Sequence, residues 1–255
     1  MIAIFAAFKE EIRDYLKAGR FRVVEREGSF LFYLSELRPR IVVVEGGFGN
    51  ERAAEAVRTA IEKYSPEAIV SAGFAGAVRD GLVAGDLILC ERLLCLEGPA
   101  ALWGRESPRE RLSKDDGVLR GLIGTDRHTI RSGGCLTVPQ FVSSRSMKEW
   151  IGRTYPVSLV DMESFWAGEA ASEAKLPFVA VRAVFDPIDQ TLPPFVGRSA
   201  DNPDGLLWLR ALRYLATRPA EAPQLLSLRS QSRVARASLA WFLSTLSPTS
   251  TTRSG

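Results

Sequence analysis

Up to about residue 190, short runs of apolar and β-branched residues alternate with stretches whose apolar positions recur at helical spacing. This alternation predicts an α/β layer fold. The runs predicted as strands are Ile2–Ala6, Ile41–Glu45, Ala68–Ala72, Asp86–Cys90, Cys135–Val138 and Phe178–Ala183. Between the second and third, Ala53, Ala54, Val57, Ile61 and Tyr64 repeat at helical spacing after Asn50, a capping candidate, and Ser65-Pro66 stops the pattern. That is one βαβ unit. Its strands are continuous apolar runs, which predicts burial on both faces of a central, mixed but mostly parallel sheet within a three-layer α/β/α arrangement. A further helix is expected over 163–174, ending before Leu176-Pro177.

Beyond Leu192 the pattern changes. Pro193-Pro194 and Asp201-Asn202-Pro203-Asp204-Gly205 predict a loop, followed by a helix over 206–217 and, past Pro219 and Pro223, a last helix over 224–246. The expected organisation is a catalytic domain over 1–195, a C-terminal helical extension over 196–246, and a Ser/Thr-rich disordered tail over 247–255. From Gly205 onward there are seven arginines against one acid, Glu221. In the last helix Leu225, Leu228, Ala235, Leu239, Phe242 and Leu246 share one side, with Arg229, Arg233 and Arg236 beside them and Trp241 nearby. Two readings stay open: a helix packed on the core with solvated arginines, or a peripheral contact with an anionic membrane.

Composition narrows the classes. Of 255 residues, 33 are basic and 30 acidic, a balance that argues against a dedicated nucleic-acid binder. No apolar run approaches the roughly 18 residues that span a bilayer, and Ile2–Phe8 lacks a basic flank, so neither a transmembrane helix nor a signal peptide is expected. Cys90, Cys95 and Cys135 have no metal-ligand spacing and suit reduced thiols in a cytoplasmic protein; no metal or organic cofactor is expected. The single histidine, His128, lies in a polar stretch without a nucleophile motif.

Candidate chemistry sits at strand ends. Gly46-Gly47-Phe48-Gly49-Asn50, Gly73-Phe74-Ala75-Gly76 and Ser132-Gly133-Gly134 would let a ligand approach the backbone, although a tight turn explains any one of them equally well. The patterns for dinucleotides and triphosphates are both missing. Carboxylates say more: Glu10-Glu11 follow the first strand, Asp161-Met162-Glu163 precede a helix, and Asp186 follows a buried strand. In an open α/β sheet these meet at the carboxyl ends of strands, where acids around an uncharged pocket suit proton transfer.

The order of Ala6-Ala7-Phe8-Lys9-Glu10-Glu11, Gly47-Phe48-Gly49, Gly73-Phe74-Ala75-Gly76, Gly85-Asp86, Val160-Asp161-Met162-Glu163 and Val181-Arg182-Ala183-Val184-Phe185-Asp186 resembles the purine nucleoside phosphorylase and methylthioadenosine/adenosylhomocysteine nucleosidase superfamily over roughly residues 1–192. The resemblance implies a nucleoside phosphorylase-like fold, cleavage of an N-glycosidic bond with release of a purine, and a small-molecule nucleoside substrate. It implies that Asp186 donates a proton toward the purine N7 and that Glu11 polarises the attacking water. By the same resemblance Glu163 binds the ribose hydroxyls, Met162 packs on the ribose, and Phe141 and Val142 contact the base. Phe48, Phe74, Ala75 and Gly76 complete the expected substrate-binding set, and a homodimer is expected.

Water or phosphate is the co-substrate. Phosphorylases of this kind carry an arginine before their Gly-Ser/Thr loop and a hydroxyl within it. Here Ser71 and Phe74 fill those positions, which favours hydrolysis, with phosphorolysis to a sugar 1-phosphate as the alternative and Arg52 as a substitute phosphate ligand. Phe185-Asp186-Pro187, Leu192-Pro193-Pro194 and the helical tail look most like the hopanoid-associated nucleoside phosphorylase subgroup, which implies adenosylhopane as substrate. A different class, a nucleoside-binding protein without turnover, would leave the proton donor Asp186 without a task. A membrane adaptor acting through the basic tail would leave both Asp186 and Glu163 unexplained.

Overall fold

The structure, a computed structural model, describes residues 1–47, 49–112, 130–192 and 222–246. Phe48, His128, the helix expected over 206–217 and the tail over 247–255 lie outside the described residues. The elements run β1 (Ile2–Ala6), α1 (Lys9–Ala18), β2 (Arg22–Glu27), β3 (Phe30–Leu34), β4 (Ile41–Glu45), α2 (Asn50–Tyr64), β5 (Ala68–Ala77), β6 (Leu87–Cys95), β7 (Arg109–Leu112), β8 (Ile130–Thr137), α3 (Arg145–Thr154), β9 (Leu159–Asp161), α4 (Ser164–Glu173), β10 (Phe178–Asp186) and α5 (Ala222–Thr245).

These strands form one mixed sheet with helices on both sides, the three-layer α/β arrangement expected from the alternating pattern. β1 lies parallel between β4 and β5, and β5 pairs parallel with β10. β10 continues through β6, β8 and β9, and β9 returns to pair with the far end of β5 at Gly76 and Ala77. The sheet therefore curls on itself around the C-terminal half of β5. The hairpin β2–β3 extends the open side beyond β4.

The apolar runs of β1 and β4 are buried throughout except for Glu45, because α2 covers one face of this region and α1 with α5 the other. On the second side Ala235, Leu239, Phe242 and Leu243 of α5, and Leu246 just past its end, are fully buried with Ile12 and Tyr15 of α1 and Val181 and Ala183 of β10. α5 therefore contributes to a layer of the core, and its packing is close. Gly85 has φ +94° and a Cβ there would stand 2.5 Å from Val234 of the helix. The arginines lie on the other side of α5, where Arg229 and Arg233 are exposed and line a surface groove with Arg13 and Arg236.

Three sequence expectations change in detail. Asn50 is the first residue of α2 and Gly49 its cap, with φ +103°, while Ser65 takes a left-handed conformation that ends the helix as expected. β5 runs on through Gly73–Gly76, so this motif is strand and not turn. Gly133 and Gly134 likewise lie inside β8, where a Cβ on Gly134 would come 2.7 Å from the Pro156 carbonyl. They allow close packing of β8 against Pro156, Val157 and Ser158.

Candidate active site

The carboxyl ends of β1, β5, β8, β9 and β10 bring the expected acids together, and each acid is placed by a local backbone feature. Glu11 stands in the first turn of α1, immediately after β1. It accepts hydrogen bonds from the Phe8 amide (3.3 Å), which caps its own helix, and from the Phe74 amide of β5 (2.8 Å). A Cβ on Gly73 would lie 3.2 Å from both Glu11 carboxyl oxygens, so the glycine is the seat of this carboxylate.

Asp186 ends β10 beyond an irregularity in its pairing with β5, where Val184 pairs with Ala75 and Asp186 with Gly76, leaving Phe185 extra. A bulge of this kind re-aims the side chains that follow it. Phe185 stacks on Phe74 with centroids 5.5 Å apart and planes 5° from parallel. The Asp186 carboxylate lies over Gly76, whose Cβ would be 3.2 Å from Oδ1. Gly73 and Gly76 thus make room for two acids along one strand, and that is the physical content of the Gly73–Gly76 motif.

Glu163 sits between β9 and α4 and accepts the Gly49 amide at 3.4 Å. Its position is set by a network that sequence reasoning registered only as a motif match. Asp161 accepts from Arg182 Nε (2.8 Å), from the Ser164 amide (3.0 Å) and from Thr137 Oγ1 (2.7 Å). Arg182 also donates to Ser71 Oγ at 2.9 Å. This buried, fully paired cluster caps α4 and fixes the strand ends on which the catalytic candidates stand.

Burial raises all three candidate acids, because a carboxylate loses hydration that the protein replaces only in part. Glu11 is pushed up to about 7 despite the Phe74 amide, and Glu163 to about 8, with Asp161 and Glu11 adding to the effect of burial. Asp186 rises to about 6 by burial, held back by the ammonium of Lys148. Lys148 is a residue the sequence reading missed. It is fully buried, pairs with Asp186 Oδ2, and donates to the carbonyls of Pro187 (3.0 Å) and Gln190 (2.9 Å). A signal was present, because Lys148 falls on the stripe of Ile151, Gly152 and Tyr155, the side of α3 that packs inward.

Of the remaining candidates, Met162 and Phe141 are half-buried, and Val142 is buried in a cluster with Val138, Ile151 and Val160. Ala75 is buried and pairs with Val184. Arg52 is exposed and its Nε donates to the Gly46 carbonyl. Ser71, the position of a phosphorylase arginine, is buried against Arg182. Cys90, Cys95 and Cys135 are free and buried in the core.

Known proteins share this frame. A methylthioadenosine/adenosylhomocysteine nucleosidase of Listeria monocytogenes is 28% identical over 204 residues, covering 74% of this chain and 87% of the relative. One from Staphylococcus aureus is 26% identical over 201 residues. Among solved structures, futalosine hydrolase of Helicobacter pylori superposes with a TM-score of 0.69 at 17% identity, covering 96% of both chains. The Neisseria meningitidis methylthioadenosine/adenosylhomocysteine nucleosidase, bound to methylthio-immucillin-A, gives 0.66 at 21% identity over 96% of both. The family model of the phosphorylase superfamily matches residues 1–202, and the chain belongs to that superfamily.

Proposed function

We propose that this chain hydrolyses the N-glycosidic bond of a purine nucleoside of the adenosine type and releases adenine. The observation that carries the reading is the set of three carboxyl groups, Glu11, Glu163 and Asp186, all pushed above the ordinary carboxylate range by burial of their site and gathered where β5 has glycines. Cleavage leaves a cationic sugar and an electron-rich purine, so it calls for a proton to the base and a nucleophile at the anomeric carbon. Asp186 gives its proton to N7 as the bond to N9 breaks. Glu11 takes a proton from the water whose oxygen bonds to the anomeric carbon, and Glu163 holds the ribose hydroxyls. Met162 packs on the ribose, Phe141 and Val142 contact the base, and Phe74, Ala75 and Gly76 complete the substrate-binding set.

Water is favoured over phosphate because Ser71, its hydroxyl buried and taken up by Arg182, replaces the phosphorylase arginine, because Phe74 replaces the loop hydroxyl, and because the curated relatives reported above are nucleosidases. The test is product analysis on an adenosine-type nucleoside with and without phosphate. Adenine and free sugar in both cases support hydrolysis; a phosphate requirement with a sugar 1-phosphate product establishes the phosphorylase reading instead. As the acid and base titrate near 6 and 7, kcat/KM is expected to be bell-shaped with its maximum in that interval.

The finer reading is a bulky apolar 5′-substituent, as in adenosylhopane, met at a membrane surface. The stacked Phe74 and Phe185 favour an apolar group, and the exposed Arg229, Arg233, Leu226 and Trp241 of α5 favour a weak, salt-dependent contact with anionic lipid. Turnover should then rise with apolar bulk at the 5′ position, and co-sedimentation with anionic vesicles should fall as salt rises. Indifference to both would remove this layer. A cytoplasmic homodimer completes the proposal, checked by sedimentation.

A further inference from the structure

Lys148 has no task in the chemistry proposed above, yet its position is demanding. A lysine side chain is almost never fully enclosed unless paired, and this one reaches from the inward stripe of α3 to a single carboxylate, that of Asp186. Its other hydrogen bonds go to the carbonyls of Pro187 and Gln190, which bound the turn leaving β10. That turn is tied down further: the Leu192 amide donates to the Ser143 carbonyl and Gln231 of α5 donates to Gln190 Oε1 at 2.7 Å. The ammonium therefore clamps the carboxylate and the segment following it to one helix.

We infer that Lys148 is a positioning residue for the general acid: it fixes the orientation of the Asp186 carboxyl toward the base and holds the carboxylate left behind when the proton has gone. The inference rests on the purine-releasing reading of the site. Among the described residues the charged group acting on Asp186 is Lys148 of α3; Gly76 of β5, on which the carboxylate lies, and Val160 of β9, which faces the same glycine, carry no charge. Asp189 in the adjoining turn is exposed and lies toward Arg145, while Glu11 and Glu163 interact with each other and with Asp161 and Arg182. The proton balance is simple. In the reactive state the Asp186 carboxyl carries the proton that passes to N7, and Lys148 stays an ammonium that stabilises the carboxylate left behind. A neutral residue at 148 leaves that carboxylate unpaired in the interior, so the acid holds its proton more tightly and gives it up more slowly.

The test is Lys148→Met assayed against two leaving groups, a purine nucleoside and an aryl riboside whose phenolate departs without protonation. With the purine, kcat is expected to fall roughly 10-fold or more with KM little changed, and the limb of the pH profile set by Asp186 to move alkaline by about one unit or more. With the aryl riboside, turnover should stay near that of the wild type. In the Asp186→Asn background the same substitution should add little, since paired groups are not additive. An unchanged pH profile, or equal losses on both substrates, overturns the inference. If Lys148→Met does not fold, Lys148→Gln is judged by the same criteria. If neither folds, the Nζ resonance of Lys148 in the wild type decides: a step in register with Asp186 supports the inference and an invariant signal overturns it. Wild-type protein that releases no purine would refute the functional reading itself, whereas a purine-releasing wild type with an indifferent Lys148 would refute only this inference.

Discussion

Two strands of this sheet carry paired glycines, and the pairs differ in what occupies the space their missing side chains leave. Along β5, Gly73 lies against the Glu11 carboxylate and Gly76 against that of Asp186. Along β8, Gly134 lies against the backbone of Pro156 and Val157, and Gly133 against Ser158 and Ile88. None of the four has a positive φ, so conformational freedom explains neither pair. A glycine within a strand marks close approach; whether the neighbour is an acid or a backbone separates a site from a packing seam. The sequence reading, which gave all the glycine motifs the same candidate status, could not make this distinction because the neighbours are remote in the chain.

The largest effect should come from the acid seated on β5. Asp186→Asn keeps the shape and removes the acidic proton, so purine release should fall by roughly 10²-fold or more while the fold is retained. Near-normal turnover would place both glycine pairs in the packing class.

Next is the seam. Gly134→Ala brings a methyl to 2.7 Å from a backbone carbonyl that has no rotamer to escape into. A loss of about 1–3 kcal/mol in denaturant unfolding is expected, with unchanged turnover per folded molecule. A loss of turnover at full stability would mean that β8 borders the site.

The same contrast explains what was legible in the sequence. β1 and β4 were readable to the residue, because strands buried on both faces are unbroken apolar runs. β2 was not, since its largely exposed position at the sheet edge removes any alternation, and β9 is only three residues long. α3 was missed because its inward stripe carries Lys148 and Gly152 where a helical pattern needs apolar residues. In the site, Glu11, Glu163 and Asp186 were legible as acids at strand ends, whereas the ion pair that tunes one of them joins residues far apart in sequence. For the last helix two readings stayed open in the sequence, because its only charged residues are three arginines while its apolar positions share one side, and that side is core.

Glu11→Gln tests the same seat through stability. Glu11 titrates near 4.5 when unfolded and near 7 when folded, so the native state holds its proton more tightly. The stability this gives is complete below about 4.5 and is lost as pH rises through about 7. Glu163 and Asp186 are shifted in the same sense. Unfolding free energy should therefore fall from pH 5 to pH 8, and Glu11→Gln should remove on the order of 1–3 kcal/mol of that fall while suppressing hydrolysis. A variant with the wild-type slope would mean that Glu11 is solvated and Gly73 is not its seat.

Gly133→Ala should do least, and it sharpens the comparison within a single strand. Its new methyl would meet Ser158 Oγ at 2.9 Å and both Ile88 Cγ2 and Ser158 Cβ at 3.2 Å. The nearest is a hydroxyl that can rotate away, unlike the Pro156 carbonyl that faces the neighbouring glycine, and the other two need give by only a few tenths of an ångström. The substitution also removes conformational freedom from the unfolded chain, a gain of about 0.4–1 kcal/mol where the native backbone tolerates a side chain. The two effects oppose each other and should leave stability within about 0.5 kcal/mol of the wild type, with turnover unchanged. Equal destabilisation by Gly133→Ala and Gly134→Ala would show that strand β8 cannot shift at all, and that the kind of neighbour, side-chain end or backbone, does not decide what a glycine in this sheet is for.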